Sequence, residues 1–355
     1  MYEKKQPDRV LRVLVVDDSA YVRKVVSQML SRSPFLEVVG MARDGKDALE
    51  LVEETKPDVV TLDLIMPNMN GIEFLKEQMA KNPIPVVIVS IASESGELAL
   101  EALDAGAVDF IQKPTALATE KIFEISEELI EKVKSAAQVP VRRLATEVAV
   151  PERIAEVEAT LEPGEKNIDV VVIGTSTGGP QALKQVIPFL PSTFPVPVGI
   201  VLHMPVGYTE MYAQKLNEIS QLKVVEARHG DAVVPGVVLL APAGRHMKFI
   251  RNNEGVVVCH LDTRPFDMPH RPSVDILFQS AAETYGSRVM GVVMTGMGSD
   301  GKQGSAWIKS QGGIIITEAE ETCVVYGMPR SVVEASLSDR TVPLDRIAKA
   351  IMENL

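Results

Sequence analysis

The feature that most limits how this chain can fold is an alternation of short apolar runs with amphipathic segments, repeated in two blocks. In the first block, residues 11–16, 38–41, 59–62, 86–89 and 110–111 read as short buried strands. Segments 21–31, 46–56, 72–81 and 97–105 lie between them at helical spacing. Segment 119–134 carries Ile122, Ile125, Leu129 and Val133 on one face and reads as a last covering helix. Five strand–helix repeats predict a parallel sheet covered on both faces and joined by right-handed crossovers.

From 135 to 166 the pattern loosens around Pro140, Pro151, Pro163 and Gly164, as expected of a linker with a short helix over 152–161. Alternation then resumes. Strands are expected at 170–174, 198–203, 224–226, 237–241, 289–295 and 314–317, with helices at 181–190, 209–219, 274–284, 302–310 and 344–355. Runs 249–251 and 256–260 flank Asn252-Asn253-Glu254-Gly255, a hairpin turn. The second block is thus a doubly wound, mainly parallel α/β domain with an antiparallel hairpin on one side. The length of 355 residues fits two domains.

In the first block the chemistry sits where strands end. Asp17 and Asp18 follow the first strand, Asp63 the third, Ser90 the fourth and Lys113 the fifth. In the flavodoxin-like strand order 2-1-3-4-5, the first and third strands are neighbours at the switch point. Asp17, Asp18 and Asp63 therefore converge there. Three adjacent carboxylates repel unless a cation joins them, and hard oxygen donors suit Mg²⁺. A carboxylate is also a phosphoryl acceptor, with Lys113 and the Ser90 hydroxyl placed to meet the new phosphate. Each residue alone reads as an ordinary cap or surface group; their joint placement at successive strand ends does not.

In the second block, Gly174-Thr175-Ser176-Thr177-Gly178-Gly179-Pro180 joins a strand to a helix. Small residues permit a sharp turn there, and a helix start offers N–H groups to an anion. The segment fits either a phosphate or nucleotide loop over 174–179 or a nucleophile elbow at Ser176. Among five histidines, His203 directly follows a core strand. Asp300 lies in Gly298-Ser299-Asp300-Gly301, past another strand. Alone it reads as a helix cap. With Ser176 and His203 it completes a set of serine-hydrolase type. The chain order Ser, His, Asp differs from the α/β-hydrolase order and counts against an ordinary lipase or esterase.

These motifs carry two resemblances. "VLVVDDS" at 13–19, "LDLIMPNMNGIEFL" at 62–75, "VVIVS" at 86–90 and "GAVDFIQKP" at 106–114 resemble the receiver domain of two-component response regulators, over roughly 10–132. The resemblance implies that Asp63 takes phosphate from a chemotaxis histidine kinase. It also implies that Asp18 and Asp63 hold Mg²⁺ with help from Asp17, and that Ser90, Phe110 and Lys113 couple phosphorylation to surface change. "VVIGTSTGGPQAL", "LHMPVGYT", "HRPSVDILF", "GVVMTGMGSDG" and "VVYGMPRSV" are similar to the catalytic domain of chemotaxis protein-glutamate methylesterases, over 167–355. This implies hydrolysis of γ-glutamyl methyl esters on chemoreceptors, with glutamine deamidation as a second activity. Ser176 would be nucleophile, His203 general base and then acid, and Asp300 the residue orienting His203. Thr177, His270 and Met297 match neighbouring active-site positions. No cofactor is implied at the esterase site, and the unphosphorylated receiver is expected to block it. The resulting domain expectation is 10–132 receiver, 133–166 linker and 167–355 catalytic.

Charge and cysteine content bear on partners and compartment. The net charge is −12, with −8 over residues 1–134 and −2 over 167–355. That balance argues against nucleic acid as the main ligand. Cys259 and Cys323 cannot form a disulfide framework. No export signal is read, since the charged N-terminus is not followed by an uninterrupted apolar core, and no membrane span, because the longest stretch without Asp, Glu, Lys or Arg, residues 185–209, holds five prolines. A cytoplasmic protein is expected.

Overall fold

The computed structural model describes residues 9–90, 92–113, 119–140 and 168–355. Its contacts divide the chain into two compact units, Met1–Ala149 and Val150–Leu355. The helix expected at 152–161 lies outside the described residues.

The first unit runs β1 (Leu11–Val16), α1 (Ala20–Leu30), β2 (Leu36–Ala42), α2 (Gly45–Thr55), β3 (Val59–Leu62), α3 (Gly71–Lys81), β4 (Val86–Ser90), α4 (Ala92–Asp104), β5 (Asp109–Gln112) and α5 (Thr119–Ala136). Its five strands are parallel in the order β2-β1-β3-β4-β5. β3 and β4 are buried along their whole length. That is why they read as continuous apolar runs instead of alternating ones. Asn70 and Glu73 form a reciprocal capping box that starts α3. Gly71 is required beside it, since a Cβ there would lie 2.3 Å from the Asp63 carbonyl oxygen.

The second unit contains β6 (Val170–Thr175), α6 (Gly179–Lys184), a 3-10 turn (Ile187–Phe189), β7 (Val198–Leu202), α7 (Thr209–Ile219), β8 (Lys223–Glu226) and β9 (Val237–Leu240). β10 (His246–Arg251), β11 (Val257–Asp262), α8 (Val274–Tyr285), β12 (Val289–Val293), α9 (Lys302–Ser310), β13 (Ile314–Glu318), α10 (Met328–Glu334), β14 (Arg340–Val342) and α11 (Leu344–Met352) follow. Seven strands pair in parallel in the order β14-β13-β12-β6-β7-β9-β8. The chain begins this sheet at β6 and builds outward on both sides, so the crevice at the ends of β12, β6 and β7 is a topological switch point.

The antiparallel hairpin β10–β11 forms a two-stranded sheet of its own, in the register Phe249↔Cys259, and β11 is bridged on its other edge by Ala232↔Val258. It packs as a lid on the sheet: Phe249 is fully buried, and a Cβ on Gly199 of β7 would lie 2.6 Å from its Cζ. Phe249 N–H donates to Ser280 Oγ of α8 at 3.0 Å, and Thr284 Oγ1 donates to the Phe249 carbonyl at 2.7 Å. Three local expectations change. The helix expected at 181–190 ends at Lys184 and resumes as the 3-10 turn around Pro188, whose missing N–H stops an α-helix. β14 and α10 were not expected: the first is three residues long and mostly exposed, and the second is seven residues with proline in its first turn. Among the described residues no helix is long and apolar enough to cross a membrane.

Candidate functional sites at two strand-end crevices

In the first unit, β1 delivers Asp17 and Asp18 and the adjacent β3 delivers Asp63, as expected at the switch point. Ligand oxygens of the three carboxylates all lie within 4.8 Å of one another. Asp17 and Asp63 are buried and Asp18 is exposed, so the cluster opens to solvent on one side. Lys113 Nζ lies 2.8 Å from Asp17 Oδ2 and 2.6 Å from Asp63 Oδ2. Burial pushes the Asp63 carboxyl above its ordinary pKa, and Lys113 offsets only part of that cost. Burial alone would depress the Lys113 ammonium, but hydrogen bonds and charge from Asp17 and Asp63 outweigh it and raise its pKa.

An all-oxygen donor set this compact fits a small hard cation, which takes oxygens at about 2.0–2.1 Å. Ser90 is fully buried at the end of β4, and its carbonyl accepts from Lys113 N–H at 2.7 Å. Phe110 is buried on β5, where Lys132 Nζ holds its carbonyl at 2.7 Å.

In the second unit, Ser176, His203 and Asp300 follow β6, β7 and β12, three neighbouring strands. Pairing of Thr175 with Leu202 puts Ser176 and His203 at the same height on the rim, and His203 N–H donates to the Thr175 carbonyl at 3.1 Å. Ser176 N–H donates to the Thr295 carbonyl at 3.0 Å. Close approach is possible because residue 296 is glycine: a Cβ there would lie 2.8 Å from Ser176 Cβ and 2.4 Å from Met328 Sδ.

Nε2 of His203 lies 2.8 Å from Asp300 Oδ2. A carboxylate only accepts, so Nε2 carries the proton and Nδ1 keeps its lone pair. Nδ1 is buried and without a hydrogen-bond partner among the described residues. His270 stacks on His203 with ring centroids 4.1 Å apart. Asp300 also accepts from Ser273 Oγ at 2.9 Å and from the N–H groups of Val274 and Asp275 at 2.8 and 2.9 Å. Burial alone would raise the Asp300 pKa, but His203 and these donors hold it well below the usual carboxylate range. The structure therefore brings Ser176, His203, His270 and Asp300 to one rim. Thr177 is buried just behind them, its carbonyl accepting from Thr295 Oγ1 at 2.9 Å, and Met297 lies on the loop after Gly296.

Four residues that brace this rim by hydrogen bonds escaped the sequence reading: Ser273, Asp275, Thr295 and Glu318. Glu318 is fully buried and accepts from Thr295 N–H at 2.8 Å, behind the peptide that holds Ser176. The signal for Ser273 and Asp275 was present, as a serine and an acid straddling the start of an apolar helix, but nothing in it pointed to Asp300.

Residues 171–351 match the family described as CheB methylesterase, and residues 13–124 match the response regulator receiver domain. A protein-glutamate methylesterase/protein-glutamine glutaminase of Myxococcus xanthus is 49% identical over 94% of this chain and 95% of its own length. One of Thermotoga maritima is 43% identical over 98% of this chain and 99% of its own. The crystal structure of the Thermotoga maritima CheB methylesterase catalytic domain superposes with a TM-score of 0.52 at 42% identity, covering 53% of this chain and all of that one. The chain belongs to the CheB methylesterase family and is a hydrolase that joins a response regulator receiver domain to a methylesterase domain.

Proposed function

We propose that this protein is a phosphorylation-activated esterase that demethylates glutamate γ-methyl esters on chemoreceptors, in the cytoplasm. The observation that carries the reading is the hydrogen bond from His203 to Asp300 at the rim that Ser176 shares. Its parts are a receiver over 10–132, a linker over 133–166 and a catalytic domain over 167–355.

Ser176 is the nucleophile. Its hydroxyl proton passes to His203 Nδ1 as Oγ attacks the ester carbonyl carbon. Asp300 keeps the proton on Nε2 and stabilises the imidazolium that forms. Backbone N–H groups in the turn after Ser176 meet the tetrahedral oxyanion; one such donor is worth about 3 kcal/mol in other enzymes. The C–O bond to methoxide breaks as His203 returns the proton, releasing methanol. Water, deprotonated by His203, then attacks the acyl-enzyme, restoring Ser176 and leaving glutamate. The same steps on a glutamine side chain release ammonia, which is the proposed second activity. The rival phosphate-loop reading of 174–179 loses its main signal, because the glycines there have a packing reason. A Cβ on Gly178 would lie 2.5 Å from Val324 Cβ, and one on Gly179 2.7 Å from Leu202 Cδ1.

In the receiver, Asp63 is the phosphate acceptor from a chemotaxis histidine kinase. Asp17, Asp18 and Asp63 are the residues that would hold Mg²⁺, whose charge offsets that of the phosphoryl oxygens. Lys113 and Ser90 meet the phosphate, and Phe110 follows the change at the surface. Phospho-Asp63 lifts a block that the unphosphorylated receiver places on the esterase. The test is methanol release from methylated receptor membranes, with and without a small phosphodonor. Stimulated release that depends on His203 supports the reading; full activity in His203→Ala overturns it.

A further inference from the structure

Helices α8 and α9 start side by side, and neither is capped by the side chain of its own N-cap residue, Ser273 or Gly301. Each start is instead served mainly by an aspartate that belongs to the other, with Gly301 N–H also reaching Asp300 Oδ1 at 3.1 Å. Asp300, just before α9, accepts the first two N–H groups of α8 and the Ser273 hydroxyl. Asp275, in the first turn of α8, accepts through Oδ1 from Gly301 N–H at 2.9 Å and Gly304 N–H at 2.6 Å. The two carboxylates are thus exchanged between facing helix starts, each satisfying donors that a helix leaves open.

The exchange is sterically closed. A Cβ on Gly304 would lie 2.5 Å from Phe278 Cβ and 3.0 Å from Asp275 Cα, and one on Gly301, at φ +96°, 3.0 Å from Val274 Cγ1. The arrangement also has a cost. Burial first, and the Asp300 charge second, push the Asp275 carboxyl up to about 6. Gly301 has no side chain to cap α9, and its backbone leaves no easy room for one, so a carboxylate from α8 serves that start. What the distant carboxylate adds is a direct grip on the peptide that follows Asp300.

We propose that Asp275 is a positioning residue for the hydrolytic reaction. By holding the N–H groups of Gly301 and Gly304, it fixes the 300–301 peptide and so keeps Asp300 Oδ2 on His203 Nε2. This rests on the Ser176–His203–Asp300 reading above. Removing the grip lets Asp300 drift, and displacement of a catalytic contact by about 1 Å can cost up to 100-fold.

The test uses the full chain with phosphodonor and the rate at which a phosphonate ester probe labels Ser176. Asp275→Ala is expected to slow labelling about 10-fold, and Asp275→Asn, which keeps an acceptor oxygen, to stay within about 3-fold of the parent. In an Asp300→Ala background, Asp275→Ala should add less than about a 2-fold loss, because a residue acting through Asp300 has nothing left to position. Should Asp275→Ala not fold, Asp275→Ser, whose hydroxyl reaches fewer amides, enters the same cycle with an expected loss of several-fold. The proposal is overturned if the Asp275 variants label at the parental rate, or if their loss recurs in full without Asp300. If Ser176→Ala labels like the parent, the nucleophile assignment itself falls, whatever Asp275 does.

Discussion

Each unit ends a core strand near a buried aspartate, but the two carboxylates are neutralised by different means. Asp63 faces the Lys113 ammonium at 2.6 Å, a charge on a four-carbon stem. Asp300 faces His203, a hydroxyl and two backbone N–H groups at the start of α8. Burial leaves the Asp63 carboxyl raised, whereas the donors around Asp300 overcome burial and leave it depressed. A lysine side chain can follow a charge that is added and removed. The amides of a helix's first turn cannot move without unwinding it. The first arrangement suits a group that is chemically modified, and the second suits one that must stay anionic and aimed at one atom.

The largest effect expected from this contrast lies in the second unit. Ser176→Ala should reduce methanol release by about 10⁴-fold or more, as loss of a nucleophile does in serine hydrolases. A release rate within 10-fold of the parent would remove Ser176 from the chemistry. In the first unit, Asp63→Asn should bring the ratio of rates with and without phosphodonor to about one. A ratio that stays at its parental value would detach Asp63 from control of the esterase.

Smaller effects probe how tightly the fixed site is packed. Gly296→Ala places a methyl against Ser176 and Met328 and should cost about 1–3 kcal/mol, read as a lower denaturant midpoint with an unchanged slope. An unchanged midpoint would show that the rim yields where the contrast requires it to be rigid.

The smallest effect concerns pH. The Asp275 pKa rises from 3.8 to about 6 on folding, so the folded state holds that proton more tightly than the unfolded chain. Stability from this group falls as pH climbs from about 4 to about 6, and the penalty is complete above that. The depressed pKa of Asp300 acts only below this window. Asp275→Asn abolishes the penalty, so its melting temperature relative to the parent should rise by about 2–6 °C between pH 4 and 7.5. A constant difference across that range would mean that burial and the Asp300 charge do not raise the Asp275 carboxyl.

Much of this architecture is legible in the chain because buried parallel strands need unbroken apolar runs. The first unit matches its expected strand order throughout, and Leu11–Val16 and Val59–Leu62 match in extent as well. β14 was not legible: its three residues, mostly exposed at the sheet edge, need no apolar pattern. Nor was the placement of the hairpin, because Phe249 and Cys259 alternate like any half-buried strand whichever surface they cover. At the site, Ser176, His203 and Asp300 stood out as chemically apt residues just past strands. Glu318, at the end of a strand, did not, since its buried hydrogen bond to Thr295 joins residues 23 positions apart.

The sequence by itself therefore determined two α/β units, their strand order in the first, and which residue types stand at the strand ends. Periodicity and turn chemistry are local, and a parallel sheet must deliver its strand ends to one edge. Tertiary structure alone decided that Nε2 of His203 points at Asp300, that Gly296 clears space for Ser176, and that Asp275 and Asp300 exchange helix starts. These depend on which loops meet across the sheet, and hydrogen bonds between residues tens of positions apart leave no period in the chain to read.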